Sequence, residues 1–240
     1  SYLVEISAAV SKAVDPVAGG PLLDVIVDAA GQKGTGRWTA IEAQNLAAAI
    51  PVIEAAVMAR NVSARRQDRA AGEAVFGPAP QALSGELDLS YLEEALIAGK
   101  ILCYAQGFAM MTAAGAEYGW ALELPAIARV WRAGCIIRSA MLNDMATALA
   151  RHPGQNLILA PFFAEHLRRC LPALRRVVAA GALHGLAVPA LSAGLAWFDL
   201  MRTARGTANM IQAQRDFFGL HGFARLDGIA EPHGPWASKT

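Results

Sequence analysis

Ser90-Tyr91-Leu92-Glu93-Glu94-Ala95-Leu96-Ile97-Ala98-Gly99-Lys100-Ile101-Leu102-Cys103-Tyr104-Ala105-Gln106-Gly107-Phe108-Ala109 contains no proline and no run of strand-like alternation. Its spacing predicts one long helix reaching roughly to Gly115. Ser90 and Glu93 stand at capping-box spacing, so the helix starts at Ser90 or just before it. Ala98, Gly99, Ala105, Gly107, Ala109 and Ala113 make this helix thin. Small side chains let helix axes approach closely, which suits the centre of a bundle.

Outward from this stretch the pattern stays helical. Toward the N-terminus, Tyr2 to Val14 reads as a helix ended by Gly19-Gly20-Pro21, and Leu22 to Ala30 fits either helix or strand. A loop, Gly31 to Gly36, follows, and from Trp38 the helical pattern runs, with a break near Pro51, through Arg60 to about Phe76. Toward the C-terminus, helices are predicted at Pro125–Trp131, Gly134–Ala150, Ala160–Gly181, Val188–Thr203 and Ala208–Phe218. The expected fold is all-α: a large helical domain over residues 1–220 and an extended tail, rich in Gly, Pro and His, over 221–240.

Composition sets limits on function. In 240 residues the apolar share is 55% and the charged share 17%, so the core is large and some apolar surface is expected in a subunit interface. A net charge of +1 argues against nucleic-acid binding, which needs a surplus of Lys and Arg. The uncharged run Val177–Phe198 is long enough for a membrane span, but Gly185 and Pro189 read as the end of one helix and the start of the next, and no membrane partner is expected. Cys103, Cys135 and Cys170 have no metal-ligand spacing and read as buried thiols of a cytoplasmic protein. The chain opens Ser1-Tyr2-Leu3-Val4-Glu5 with neither a basic leader nor Met, which suggests a cut within a longer protein.

The loop Gly31-Gln32-Lys33-Gly34-Thr35-Gly36 invites two nucleotide readings, and spacing defeats both. Arg37-Trp38 stand where a Walker loop needs Lys and Ser or Thr, and Thr39 stands where the dinucleotide fingerprint needs its third glycine. What remains is a cationic, glycine-rich loop suited to an anion, or an ordinary surface turn. Arg60 with Arg65, Arg66 and Arg69 fits a solvated helix face as well as a binding site, and Arg168, Arg169, Arg175 and Arg176 read as a solvated face.

Gly31-Gln32-Lys33-Gly34-Thr35-Gly36-Arg37-Trp38-Thr39 resembles the (N/Q)KGTG(K/R)WT segment of the 6-phosphogluconate dehydrogenase family. Tyr2 to Ile6, Gly99 to Phe108, Trp131 to Ser139, and Ile211 to Gly219 followed by His221 resemble the same family in the same order. The resemblance implies that Lys33, Thr35 and Arg60 bind the substrate's phosphate, that Ile137, or Ile136 beside it, lines the pocket, and that Arg215 and His221 approach the substrate of the neighbouring subunit of a homodimer. It implies 6-phosphogluconate as ligand and NADP, or NAD in some members, as cofactor, bound by an amino-terminal dinucleotide fold absent from these residues. The family's HNGIEYGDM-like acid–base motif is also absent, so no catalytic residue and no metal ligand is assigned here. Two departures from the family pattern are Ala47-Ala48-Ala49 with Pro51 where a Gly-Val-Pro turn is usual, and Phe217 where Tyr is common. Rival readings are a non-catalytic helical interaction domain of the same fold and a related hydroxyacid dehydrogenase.

Overall fold

The computed structural model describes residues 1–31, 33–80, 87–230 and 232–237. Among them ten α-helices run in chain order: α1 (Tyr2–Val10), α2 (Thr35–Asn45), α3 (Pro51–Ser63), α4 (Arg66–Phe76), α5 (Leu89–Tyr118), α6 (Leu124–Gly134), α7 (Met141–Arg151), α8 (Pro161–His184), α9 (Pro189–Met201) and α10 (Ala208–Gly219). Short 3-10 turns lie at Leu22–Val25 and Leu157–Leu159. The all-α expectation holds. The chain divides into two compact units, Ser1–Leu195 and Ala196–Thr240.

In the first unit α5 and α8 form the central pair. On α8 the buried residues Phe163, Leu167, Cys170, Leu171, Leu174, Val177 and Gly181 recur at three and four positions, the period that lines one face of a helix. Full burial of each such Leu or Phe side chain is worth about 1.5–3 kcal/mol. Pro172 lies on the exposed side of α8, where the carbonyl it frees can bond water. Along α5 the buried set is wider, because α8 and α3 both pack on it. Gly99 lets α5 approach Leu191, and Gly194 stands against Val52 and Leu102. Gln106 of α5 is fully buried and accepts the Val52 N–H at 3.0 Å, satisfying one free donor at the start of α3. Helices α6 and α7 pack on each other beside this core.

Several boundaries differ from the sequence reading, each for a local reason. Helix α5 starts at Leu89, just before Ser90 as the spacing allows, and Asp88 caps it: its carboxylate accepts the N–H groups of Ser90 and Tyr91 at 2.9 and 3.0 Å. The run expected to continue to Phe76 breaks between Ser63 and Arg66, where Arg69 Nη1 turns back to the freed Ser63 carbonyl at 3.2 Å. The helix expected from Gly134 begins only at Met141, because the carbonyls of Ile137 and Arg138 accept from Tyr104 and from the Tyr2 N–H instead of from the next turn. Leu22–Ala30, open between helix and strand, is a 3-10 turn followed by irregular chain. The run Val177–Phe198 breaks at Gly185 as expected: φ is 73° there and the Leu186 N–H bonds back to the Gly181 carbonyl at 2.8 Å. By length and composition α5 alone among the described helices could cross a membrane, and in this fold it is packed by α8 and α3. Arg176 was read as a solvated cation, yet it donates to the Tyr91 hydroxyl and its guanidinium lies 4.7 Å from that ring's centroid.

In the second unit the tail does not run free. It is irregular rather than helical, and residues 222–230 and 232–236 fold back onto α10 around the buried carboxylate of Asp216. The shared carboxylate explains why α10 and the tail belong to one compact unit rather than separating at residue 220.

Two glycine substitutions test the packing account. A Cβ at Gly181 would stand 2.9 Å from the Leu186 carbonyl oxygen, which is backbone and cannot swing away. Gly181→Ala is therefore expected to destabilise by about 1–3 kcal/mol in denaturant unfolding, since overpacking outweighs the helix-propensity gain. A Cβ at Gly107 meets nothing within 4 Å, so Gly107→Ala in α5 is expected to stabilise by about 0.5–1 kcal/mol in the same measurement.

Candidate functional site

The loop 31–36 delivers its residues to the start of α2. Gly34 is the N-cap, at φ 109°, a left-handed conformation that glycine adopts without strain. Its carbonyl accepts the Trp38 N–H at 2.8 Å and begins the helix ladder. No side chain caps α2, so N–H donors of its first turn, with the positive end of the helix dipole, remain available to an anion. Lys33 and Thr35 flank Gly34 and are both exposed. Gly36 sets the spacing to α3, because a Cβ there would lie 3.1 Å from Val57 Cγ2.

Helices α3 and α4 hold the approach to this loop. Arg60, near the end of α3, donates through Nη2 to the Gly31 carbonyl, two residues before Lys33. Its own carbonyl accepts the Ser63 hydroxyl at 2.8 Å, and Ser63 Oγ in turn accepts the Ala30 N–H at 2.9 Å. Arg69 adds a second clamp: Nη1 donates to the Asp28 carbonyl at 2.9 Å, and Nη2 pairs with the Asp28 carboxylate. Arg60 and Arg69 thus leave the solvated-face reading, whereas Arg65 keeps it, in an exposed pair with Asp68 at 2.7 Å that contributes little to stability. Arg60 is thereby tied to the loop that carries Lys33 and Thr35, and its planar guanidinium has five N–H donors.

Ile137 is positioned by different elements. It lies in the turn between α6 and α7, where the Tyr104 hydroxyl from α5 donates to its carbonyl. Burial pushes the Tyr104 phenol up to about 12, so it stays protonated and able to donate at neutral pH. Lys100, one turn earlier on α5, faces Ser139 at 3.4 Å, and partial burial lowers its ammonium below the ordinary lysine value. Burial likewise raises the Cys103 thiol. All three cysteines are free, and no group of three or more His, Cys, Asp and Glu gathers for a metal among the described residues.

Arg215 and His221 belong to the second unit. Both are exposed, and Arg215 Nη1 donates to Gln212 Oε1 at 3.0 Å. Sequence reading missed the roles of Arg69, Ser63 and Tyr104, each of which has a partner about thirty or more residues away in the chain. Asp216 lay in plain view beside Arg215, but nothing in its spacing shows four donors closing on it.

Known proteins similar to this chain identify its family and fold. The family model for the 6-phosphogluconate dehydrogenase C-terminal domain matches residues 1–236. A decarboxylating 6-phosphogluconate dehydrogenase of Treponema pallidum is 46% identical over 95% of this chain and 48% of its own length. An NADP(+)-dependent decarboxylating enzyme of Bacillus subtilis is 42% identical over 98% of this chain and 51% of its own, and an NAD(+)-dependent one from the same organism is 39% identical over 99% and 52%. A solved Plasmodium falciparum 6-phosphogluconate dehydrogenase, studied in apo form and with NADP+ or 6-phosphogluconate, superposes with a TM-score of 0.93 at 36% identity, over 98% of this chain and 52% of that one. The chain spans about half the length of the curated relatives it matches. An ordered set of motifs, an all-helical fold and a matching family model lead to one conclusion: this chain belongs to the 6-phosphogluconate dehydrogenase family, in its C-terminal domain.

Proposed function

We propose that this chain builds the substrate-phosphate side of a decarboxylating, NADP-dependent 6-phosphogluconate dehydrogenase, acting in the cytoplasm as a homodimer. The observation that carries this reading is the hydrogen bond by which Arg60 holds Gly31 of the loop that carries Lys33 and Thr35 into the start of α2, where no side-chain cap bond is made among the described residues. A phosphate dianion there meets two cations, a hydroxyl and helix N–H donors, and the guanidinium fork matches its oxygens. Arg60 and Arg69 donate to carbonyls of residues 28–31 and Ser63 accepts the Ala30 N–H, so the loop is held before substrate arrives and little ordering is left to binding.

The reaction of the complete enzyme is oxidation of 6-phosphogluconate at its third carbon, loss of carbon dioxide and tautomerisation to ribulose 5-phosphate. Anchoring the distant phosphate orients the reacting carbon and contributes to rate through fixed geometry. The residues here do not fit a nicotinamide dinucleotide: the loop enters α2 from irregular chain rather than from a strand, and the third glycine is Thr39. No step through NADP is derived from them, and on this reading cofactor and acid–base groups belong to the other half of the enzyme. The 240 residues alone are then without turnover. The presence of Lys33, Arg60 and Arg215 together in one chain favours this reading over a bare interaction domain, and on this reading Arg215 and His221 complete the site of the partner subunit.

In the full-length enzyme, Lys33→Ala or Arg60→Ala is expected to raise KM for 6-phosphogluconate more than about tenfold, from loss of a charge-assisted contact worth about 1.5–3 kcal/mol, with KM for NADP unchanged. Equal weakening of both ligands in steady-state kinetics would count against the phosphate assignment.

Shared sites make a second prediction. At 6-phosphogluconate concentrations well below the raised KM, Arg60→Ala and Arg215→Ala homodimers are each expected to be nearly inactive, while a mixed dimer holds one site with both changes and one with neither. Mixed dimers should recover about half of wild-type activity, since one of two sites is intact. Absence of any recovery would place both arginines of a site on one chain.

A further inference from the structure

Arg215 and His221 are exposed, and Arg215 donates to Gln212 Oε1 of its own helix. Something else must fix their relative position, and the residue between them is built to do so. Asp216 is fully buried. Its Oδ1 accepts the Gly222 N–H at 2.8 Å and His233 Nδ1 at 2.7 Å, and its Oδ2 accepts the Gly234 N–H at 2.9 Å and the Trp236 indole N–H at 2.7 Å. One end of the Asp216–Gly222 bond adjoins Arg215 and the other adjoins His221.

We propose that Asp216 is the positioning residue for the Arg215–His221 pair: by gathering Gly222, His233, Gly234 and Trp236 it holds the turn that presents His221 next to the last turn of α10 that presents Arg215. This rests on the reading that those two residues meet substrate. The turn itself needs holding. Leu220 sits at φ 49°, a conformation that a non-glycine residue keeps where its surroundings impose it, and its N–H bonds to the Asp216 carbonyl at 2.8 Å. At Gly222, φ is 73°, and a Cβ would stand 3.2 Å from the Pro232 carbonyl oxygen, whose partner is the Phe223 N–H at 2.8 Å. The His221 ring lies against Gly219, where a Cβ would come within 2.8 Å of Nε2, and Phe218 meets it edge-on at 5.8 Å. Trp236 closes the arrangement between Phe217 and Phe223, with ring centroids at 5.7 and 6.5 Å.

The chemistry of the hub calls for a carboxylate. Four donors converge on two oxygens, and an ionised carboxylate is the side chain that accepts at every site. Burial alone would raise this carboxyl; the hydrogen bonds from His233, Gly234, Gly222 and Trp236 outweigh it and hold the group well below the usual carboxylate range. Asparagine has the same shape but presents an NH2 to one pair of donors. Glutamate would push the oxygens one methylene outward, past the turn they hold.

The test uses the full-length enzyme. Asp216→Asn is expected to raise KM for 6-phosphogluconate by about tenfold or more while KM for NADP stays within about twofold. A residue with a structural role only would lower Tm and the yield of active enzyme and leave both KM values unchanged, and that result overturns the proposal. Because Asp216 acts through its neighbours, the same change made in an Arg215→Ala/His221→Ala background should add less than about twofold, whereas a full multiplicative effect there also overturns it. If Asp216→Asn does not fold, Trp236→Phe keeps the ring between Phe217 and Phe223 and removes one donor. It should raise the same KM by about threefold, and a wild-type KM would sink the proposal. Arg215→Ala/His221→Ala with an unchanged KM would show instead that the substrate reading had failed, and the Asp216 inference with it.

Discussion

The close approach that small residues on α5 permit is the constraint on which the first unit depends. Gly99 of α5 leaves room for the Leu191 side chain of α9, and Gly194 of α9 leaves room for the side chains of Val52 in α3 and Leu102 in α5. Interiors packed at crystal-like density leave no slack for extra methylenes, so these positions set where α3 and the start of α9 lie. Because α3 is placed, so is Arg60 at its end, and so is the loop that Arg60 holds. The distance from core glycines to candidate phosphate site is two mechanical steps.

The loop is held by cations that have a second task or a neighbour with one. Arg60 donates to Gly31 and faces the proposed ligand; Arg69 does only the holding, bridging Asp28 and the freed carbonyl of Ser63. This division makes physical sense. A cation that must bind phosphate cannot spend all its donors on the protein, so a second arginine and a serine carry most of the local structure. The break between α3 and α4 gives Arg69 its angle of return, and an unbroken helix would have carried it onward past Asp28.

In the second unit the same logic appears with the sign reversed. A buried anion, rather than a cation, organises the chain, and its neighbours in sequence are the residues proposed to meet substrate. Ordering an irregular segment costs backbone entropy at every residue, and apolar burial is scarce here: Phe217, Phe218 and Leu226 are all exposed. Hydrogen bonds to a charged acceptor are among the stronger ones available to offset that cost.

Much of this was legible in the sequence. Helical periodicity, the Gly185 and Pro189 punctuation and the small residues of α5 are local properties of the chain, and they determined the all-α class and most helix positions. The ordered motifs around Lys33, Lys100, Ile137 and Arg215 determined the family, because residue identity at fixed spacing survives without knowledge of contacts. Tertiary structure alone decided where helices stop when a distant group takes their carbonyls, as Tyr104 does at Ile137 and Arg69 at Ser63. It also decided which of several like residues matters: Arg60 and Arg69 reach residues 28–31 while Arg65 meets only its own helix, and Asp216 is a hub while Asp199 pairs within one turn. The physical reason is range. Propensity and spacing act over a few residues, whereas a hydrogen bond between residues 28 and 69, or 216 and 236, exists only after the fold has brought its ends together.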